Sequence, residues 1–153
     1  MCESGRLLLK SGRLQKLQCT RNFPPLGGIF QADRKLYIAG GRWYSAGHEE
    51  YFGALLLMSY SGQLTELEPM KHPRSMLSLC GLPSLLLAIG GTSKTGLLRN
   101  CESYSTRSKH WRDLPWLSES DRFEPGGCLL ESRRAFCFCG KKFEGDKNPI
   151  ESL

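Results

Sequence analysis

The sequence predicts an all-β fold built from a repeated unit. Two double glycines, Gly40-Gly41 and Gly90-Gly91, lie fifty residues apart, and each follows a short apolar run. Seventeen glycines and eight prolines are typical of a chain with many short strands and turns. A period near fifty residues is typical of repeat proteins, in which neighbouring units bury each other's faces.

Short apolar or alternating segments, bounded by turn residues, predict where the strands lie. In chain order, strands are expected at residues 6–11, 13–18, 27–32, 35–39, 54–60, 63–68, 76–81, 84–89, 100–105, 109–114, 127–131 and 134–139. Ser11-Gly12 and Ser61-Gly62 are hairpin turns in this interpretation. Residues 141–153 are polar and without a pattern, so we expect a flexible C-terminal tail there.

Aromatic residues recur after the glycine pairs. Tyr104 is separated by six residues from Trp111, and Tyr60 is separated by the same number from Leu67. Large side chains with a polar tip suit the packing between neighbouring sheets. This order of apolar strand, Gly-Gly, variable loop, tyrosine and tryptophan resembles the kelch repeat, over roughly residues 6–140.

The resemblance implies a partial kelch-type β-propeller with two full four-stranded blades and two half blades within residues 1–140. A third glycine pair is incomplete, because Cys139 precedes Gly140. Propellers typically need about four to eight blades. Three alternatives stay open: a segment of a longer propeller, which we favour, a homodimer of two copies that completes a six-bladed ring, or an open stack of blades.

The longest internal loop, residues 42–53, is rich in residue types that dominate binding hot spots. Arg42, Trp43, Tyr44 and His48 are its candidate partner-binding residues. The same propeller face is expected to carry further candidate cations, namely His72, Arg74, Lys94, Arg99 and Arg122. For the recurring arginines the alternative role is structural, because a guanidinium can donate to loop carbonyls in every blade.

The sequence contains no catalytic motif and no set of metal ligands, so we expect neither a metal nor a cofactor. The resemblance implies a non-catalytic protein-interaction module, such as a scaffold or adaptor, with a partner that presents an acidic or polar segment. The alternative is an enzyme or small-molecule binder that uses the central channel of an assembled propeller. That alternative predicts polar groups at the inner strands, and residues 27–32 and 76–81 carry few.

Charge and cysteine content indicate the compartment. The net charge is +6, but the excess lies in residues 1–35, where few aromatics accompany the basic groups, which disfavours nucleic acid as a partner. Seven cysteines form an odd count, typical of reduced thiols. No apolar run is long enough to cross a membrane, and the first residues lack the layout of a secretory signal. We therefore expect a cytoplasmic protein.

Overall fold

The computed structural model describes two parts of the chain in full, residues 23–59 and 63–114. Elsewhere it describes the backbone of five further strands. In chain order the strands are β1 (Arg6–Leu8), β2 (Leu14–Lys16), β3 (Gly28–Ala32), β4 (Lys35–Ala39), β5 (Arg42–Ser45), β6 (His48–Tyr51), β7 (Leu55–Met58), β8 (Leu64–Leu67), β9 (Ser78–Leu82), β10 (Leu85–Ile89), β11 (Thr92–Ser93), β12 (Gly96–Leu97), β13 (Cys101–Ser105), β14 (His110–Leu114), β15 (Gly127–Glu131), β16 (Arg134–Phe138) and β17 (Ile150–Ser152). The described residues contain no helix.

Two four-stranded antiparallel sheets form the centre of the fold. The first, with order β3-β4-β7-β8, is called blade 1, and the second, with order β9-β10-β13-β14, is called blade 2. In both sheets the four strands lie side by side in chain order, with the short strands β5, β6, β11 and β12 left outside. This is the arrangement that the four-strand repeat requires. The predicted all-β fold, a partial β-propeller, is confirmed, and every predicted strand begins or ends within three residues of its expected position.

The blades lie side by side through their first strands, since β9 contacts β3 on one side and β15 on the other. The segments that lead into these strands are also joined, because the Met76 amide donates to the carbonyl of Leu26 over 2.7 Å. Met76 and Leu26 both have positive φ, 55° and 63°. The same rare backbone conformation therefore recurs fifty residues apart, in register with the repeat.

Smaller sheets accompany the two blades. β1 pairs with β2, and β15, β16 and β17 form a three-stranded sheet. The sequence does not predict β17, because a three-residue strand is too short to show a period of two. The spacing between β16 and β17 matches that between the second and third strands of blade 2. Phe138 pairs with Ile150, and Ile89 pairs with Cys101, twelve residues apart in each case. The domain boundary at residue 140 stays a prediction.

The main apolar core lies between blade 1 and blade 2. Alternate residues of each strand point to opposite sides of a sheet, so Tyr104 and Trp111, which pair directly, share one face of blade 2. That face packs against Tyr37 and Leu55 of blade 1. The rings of Tyr104 and Trp111 are 5.2 Å apart at 49°, a tilted aromatic contact. The opposite face of blade 2 holds a second cluster that includes Cys80 and Cys101, neither of which forms a disulfide.

The strand register of blade 1 corrects one detail of the sequence interpretation. The spacing predicts Leu67 at the tryptophan position, but Leu67 pairs with Leu55, whereas Trp111 of blade 2 pairs with Tyr104. Leu64, which pairs with Met58, occupies the position that corresponds to Trp111. Tyr60 lies outside the described residues.

The glycine pairs let two backbones come close. Gly40, Gly41, Gly90 and Gly91 all have positive φ, between 60° and 110°. A Cβ on Gly91 would stand 2.5 Å from the carbonyl oxygen of Ser75, which also accepts the Thr92 amide hydrogen bond. Glycine is needed there for its φ and for its lack of a side chain.

Gly91→Ala is expected to destabilise the fold more than Gly96→Ala does. The two φ values are similar, 97° and 112°, but a Cβ on Gly96 meets nothing within 4 Å. Strain at such a φ costs about 1–3 kcal/mol by itself, and only Gly91→Ala adds a backbone clash. Urea denaturation of both variants measures the difference, and equal losses would contradict a close approach at Ser75.

Candidate partner-binding face

The blades present two ends. At one end lie the segments that connect strand four of one blade to strand one of the next, together with the long connections from strand two to strand three; this end is called the loop face. The connections on the loop face are ordered hairpins: β5 pairs with β6 in blade 1, and β11 pairs with β12 in blade 2. The sequence predicts loops at these positions and misses the short strands.

The hairpin of blade 1 is held by a polar network. Arg42 Nη1 lies 2.9 Å from Glu49 Oε1 and donates to Tyr51 Oη over 3.2 Å. The Tyr51 hydroxyl in turn donates to Glu49 Oε2 over 2.8 Å. The guanidinium of Arg42 also lies 5.9 Å from the centre of the Tyr51 ring, within cation–π range. Arg42 is thus already paired with a carboxylate.

The exposed apolar side chains concentrate on the loop face. Tyr44 is 70% exposed near the hairpin tip, and Trp43 beside it is half-buried. Leu97 lies on the neighbouring hairpin, Leu26 lies in the segment before blade 1, and Ile29, 63% exposed, lies one residue into β3. These four, Leu26, Ile29, Tyr44 and Leu97, are the exposed large hydrophobic residues among the described parts of the chain.

The opposite end of the blades is polar where the structure describes it. The turn between β3 and β4 exposes Asp33 and Arg34, and the turn between β13 and β14 exposes Arg107, Ser108 and Lys109. No exposed large hydrophobic residue occurs in these turns. The two ends of the blades therefore differ in chemistry.

Arg74, a predicted partner-binding residue, is completely buried. Its guanidinium donates to the carbonyls of Gly90 and Asn100, each over 2.9 Å, and to that of His72 over 3.2 Å. Its Nη2 lies 2.7 Å from Glu102 Oε1, and Glu102 is equally buried. These are the loop-carbonyl contacts of the structural alternative, and a partner cannot reach Arg74 while the blade is folded.

The carboxylate of Glu102 completes this cluster. It accepts the backbone amides of Lys71 and His72 over 2.8 and 3.1 Å, in addition to Arg74. Burial lowers the pKa of Arg74, and the neighbouring charge of Glu102 opposes that shift. Since arginine is not deprotonated in proteins, the pair is ionic. We call Arg74, Glu102 and the backbone carbonyls and amides that they bind the blade latch, because these contacts join the segment from blade 1 to blade 2.

His72 lies on the surface beside the latch. Its Nε2 is 3.3 Å from Asp113 Oδ1, and Lys71 Nζ is 2.6 Å from Asp113 Oδ2. The hydrogen bond from Lys71 is the main reason that the pKa of Asp113 is lowered, and His72 adds to it. Asp113 therefore lies beside both Lys71 and His72, and its carboxylate partly balances the charge of Lys71.

The remaining predicted site residues fall into two groups. His48, Lys94 and Arg99 are exposed on the loop face, His48 on the first hairpin and the other two in the connection of blade 2. Arg122 lies outside the described residues. The sequence analysis missed Glu102, although a carboxylate that shares a strand face with Tyr104 and the core is a signal that could have found it.

Within residues 23–59 and 63–114, no group of three or more histidines, cysteines or carboxylates is placed to hold a metal ion. In the same described parts, no helix is long and apolar enough to cross a membrane.

The fold is that of an all-β repeat protein, and the blade latch joins the segment between β8 and β9 to blade 2. Residues 73–115 match the family model of the Kelch motif. This range covers the whole of blade 2, from the turn that holds Arg74 to the end of β14. The chain therefore contains a kelch motif, the resemblance seen in its glycine pairs is confirmed, and kelch motifs are generally protein-interaction modules. No curated protein matches the chain in a sequence comparison.

Proposed function

We propose that this protein is a non-catalytic interaction module that binds another protein through its loop face. The observation that supports this most directly is that three of the four exposed large hydrophobic residues in the described parts of the chain, Leu26, Tyr44 and Leu97, lie on that face, with none in the described turns of the opposite end. Aromatic anchors surrounded by polar residues are typical of the energetic centre of protein interfaces. Tyr44, on the hairpin of blade 1, and Leu97, on the hairpin of blade 2, are the anchors in this proposal.

Fewer of the predicted cations are available to an acidic partner than the sequence suggests. Arg42 and His72 face carboxylates, and Arg74 is buried, whereas Lys94 is an exposed cation of this face that can attract an acidic segment. A partner segment with one apolar side chain next to a polar or acidic residue suits this combination. A cytoplasmic scaffold or adaptor role fits such a module, and a homodimer that completes the ring is a separate hypothesis that solution mass would decide.

The double variant Tyr44→Ser with Leu97→Ser is expected to lose its partner. Hot-spot truncations cost about 2 kcal/mol or more each, so recovery of the partner should fall by at least about tenfold. The measurement is quantitative affinity capture of proteins that the wild-type chain enriches, with circular dichroism to establish that each variant folds.

A matched control uses two exposed residues at the opposite end, Lys35→Ser with Lys109→Ser. This variant should retain the partner that the loop-face variant loses. Equal recovery with both double variants would contradict binding through the loop face.

A further inference from the structure

Blade 2 carries a second feature, on the face directed away from blade 1. Ser103 pairs with Arg112, and Ser105 pairs with His110. Because residues alternate along a strand, these four side chains lie on the face opposite Tyr104 and Trp111. They line a cavity of about 270 Å³, together with Leu85, Arg107 and Ser108.

The composition of this face differs from that of blade 1. The register places Leu57 of blade 1 at the position of Ser103, and Thr65 at the position of Arg112. Leu57 packs against the main core between the blades. In blade 2 an apolar packing position has therefore become a hydroxyl, and the residue beside it has become an arginine, so this half of the face is built for a polar occupant.

Two arginines, three serines and one histidine are among the residues that line the cavity. Among the described residues, no carboxylate pairs with Arg107 or Arg112. One carboxylate lies nearby, because Glu68 Oε2 is 2.8 Å from Nδ1 of His110. The other ring nitrogen of His110, Nε2, takes no part in that contact. The guanidinium groups can each present several N–H donors, and three serine hydroxyls add to them.

We propose that this cavity binds a phosphate group. A phosphoryl group offers at least three strong acceptor oxygens, whereas a carboxylate offers two, and two arginines with three serines supply more donors than a carboxylate can accept. Arginine forks bind phosphate in a bidentate manner. The cavity volume of about 270 Å³ leaves room for one such group. The proposal does not depend on the loop face.

The test is isothermal titration calorimetry of the full chain with inorganic phosphate. The salt concentration is kept low, because salt screens the attraction between phosphate and exposed charged side chains. Wild-type protein should bind phosphate saturably, and Arg107→Gln with Arg112→Gln should weaken binding at least about tenfold. Arg34→Gln with Lys35→Gln removes the same charge from exposed positions outside the cavity and should change the affinity less than about twofold. Both double variants alter exposed side chains, and circular dichroism establishes that they fold.

Two further ligands separate the sources of the group. A phosphoserine peptide that binds more tightly than inorganic phosphate identifies a group presented by a protein, and equal affinity identifies free phosphate; both support the site. The proposal is overturned if wild-type protein shows no saturable binding, if acetate binds as well as phosphate, or if the Arg34 and Lys35 control variant loses as much affinity as the Arg107 and Arg112 variant.

Discussion

Glu102→Ala is expected to lower the free energy of unfolding by about 3–5 kcal/mol, the usual effect of removing one partner of a buried ion pair. The change leaves the guanidinium of Arg74 buried without its counter-charge. It also removes the acceptor of the Lys71 and His72 amides, and buried donors without an acceptor are costly. Urea denaturation followed by circular dichroism gives the value.

Glu49→Ala is the matched control for the latch. Glu49 also pairs with an arginine, Arg42, but the two side chains are 41% and 27% exposed. Solvent-exposed pairs contribute about 0–1 kcal/mol, so this variant should remain close to wild type. The double variant Arg74→Met with Glu102→Met removes both charges and should lose less than the sum of the single changes. A loss below about 1 kcal/mol for Glu102→Ala would contradict the latch.

Trp111→Ala is expected to have an effect of similar size, about 3–5 kcal/mol. Trp111 is 4% exposed in the core between the blades, in contact with Tyr104, and its indole N–H donates to the carbonyl of Glu68 over 2.8 Å. Removing the ring opens a cavity where the two blades meet. Trp111→Phe keeps most of the ring and loses the hydrogen bond, which is worth about 1 kcal/mol.

Trp43→Ala provides the comparison for Trp111→Ala, because it removes the same side chain from a half-buried hairpin position. Its expected loss is below about 1 kcal/mol, since it lies outside both apolar clusters. Thermal and urea unfolding of both variants would decide. Equal losses at the two tryptophans would mean that the blades are not joined through Trp111.

The fold could be predicted from the sequence because its strands are local patterns. Each apolar run that ends in Gly40-Gly41 or Gly90-Gly91 is a strand, and the spacing of Tyr104 and Trp111 fixes a direct cross-strand pair. The same spacing failed at Leu67, which pairs with Leu55, whereas Leu64, paired with Met58, holds the position that corresponds to Trp111. A shared spacing therefore predicts equivalent strands better than it predicts equivalent pairs.

The site was harder to predict, because its chemistry depends on contacts between distant residues. Arg74 has the sequence features of an available cation, but Glu102, twenty-eight residues further on, lies beside it in the fold. Arg42 is neutralised in the same way by a residue across its hairpin. Tyr44, predicted as a loop residue, lies in strand β5 and is exposed, and whether it binds a partner stays a prediction. The charge of an arginine in the sequence therefore does not show whether the side chain is available to a partner or buried in a structural ion pair, as Arg74 is.

The most direct test of the side-by-side blades is a nuclear Overhauser measurement on the Trp111 indole proton, assigned by its loss in Trp111→Phe. That proton lies on blade 2 and points to the carbonyl of Glu68, in the segment that leaves blade 1. We expect slow exchange with solvent and cross-peaks to protons of Glu68 and the residues next to it. Rapid exchange, with cross-peaks only to blade 2, would contradict the arrangement of adjacent blades.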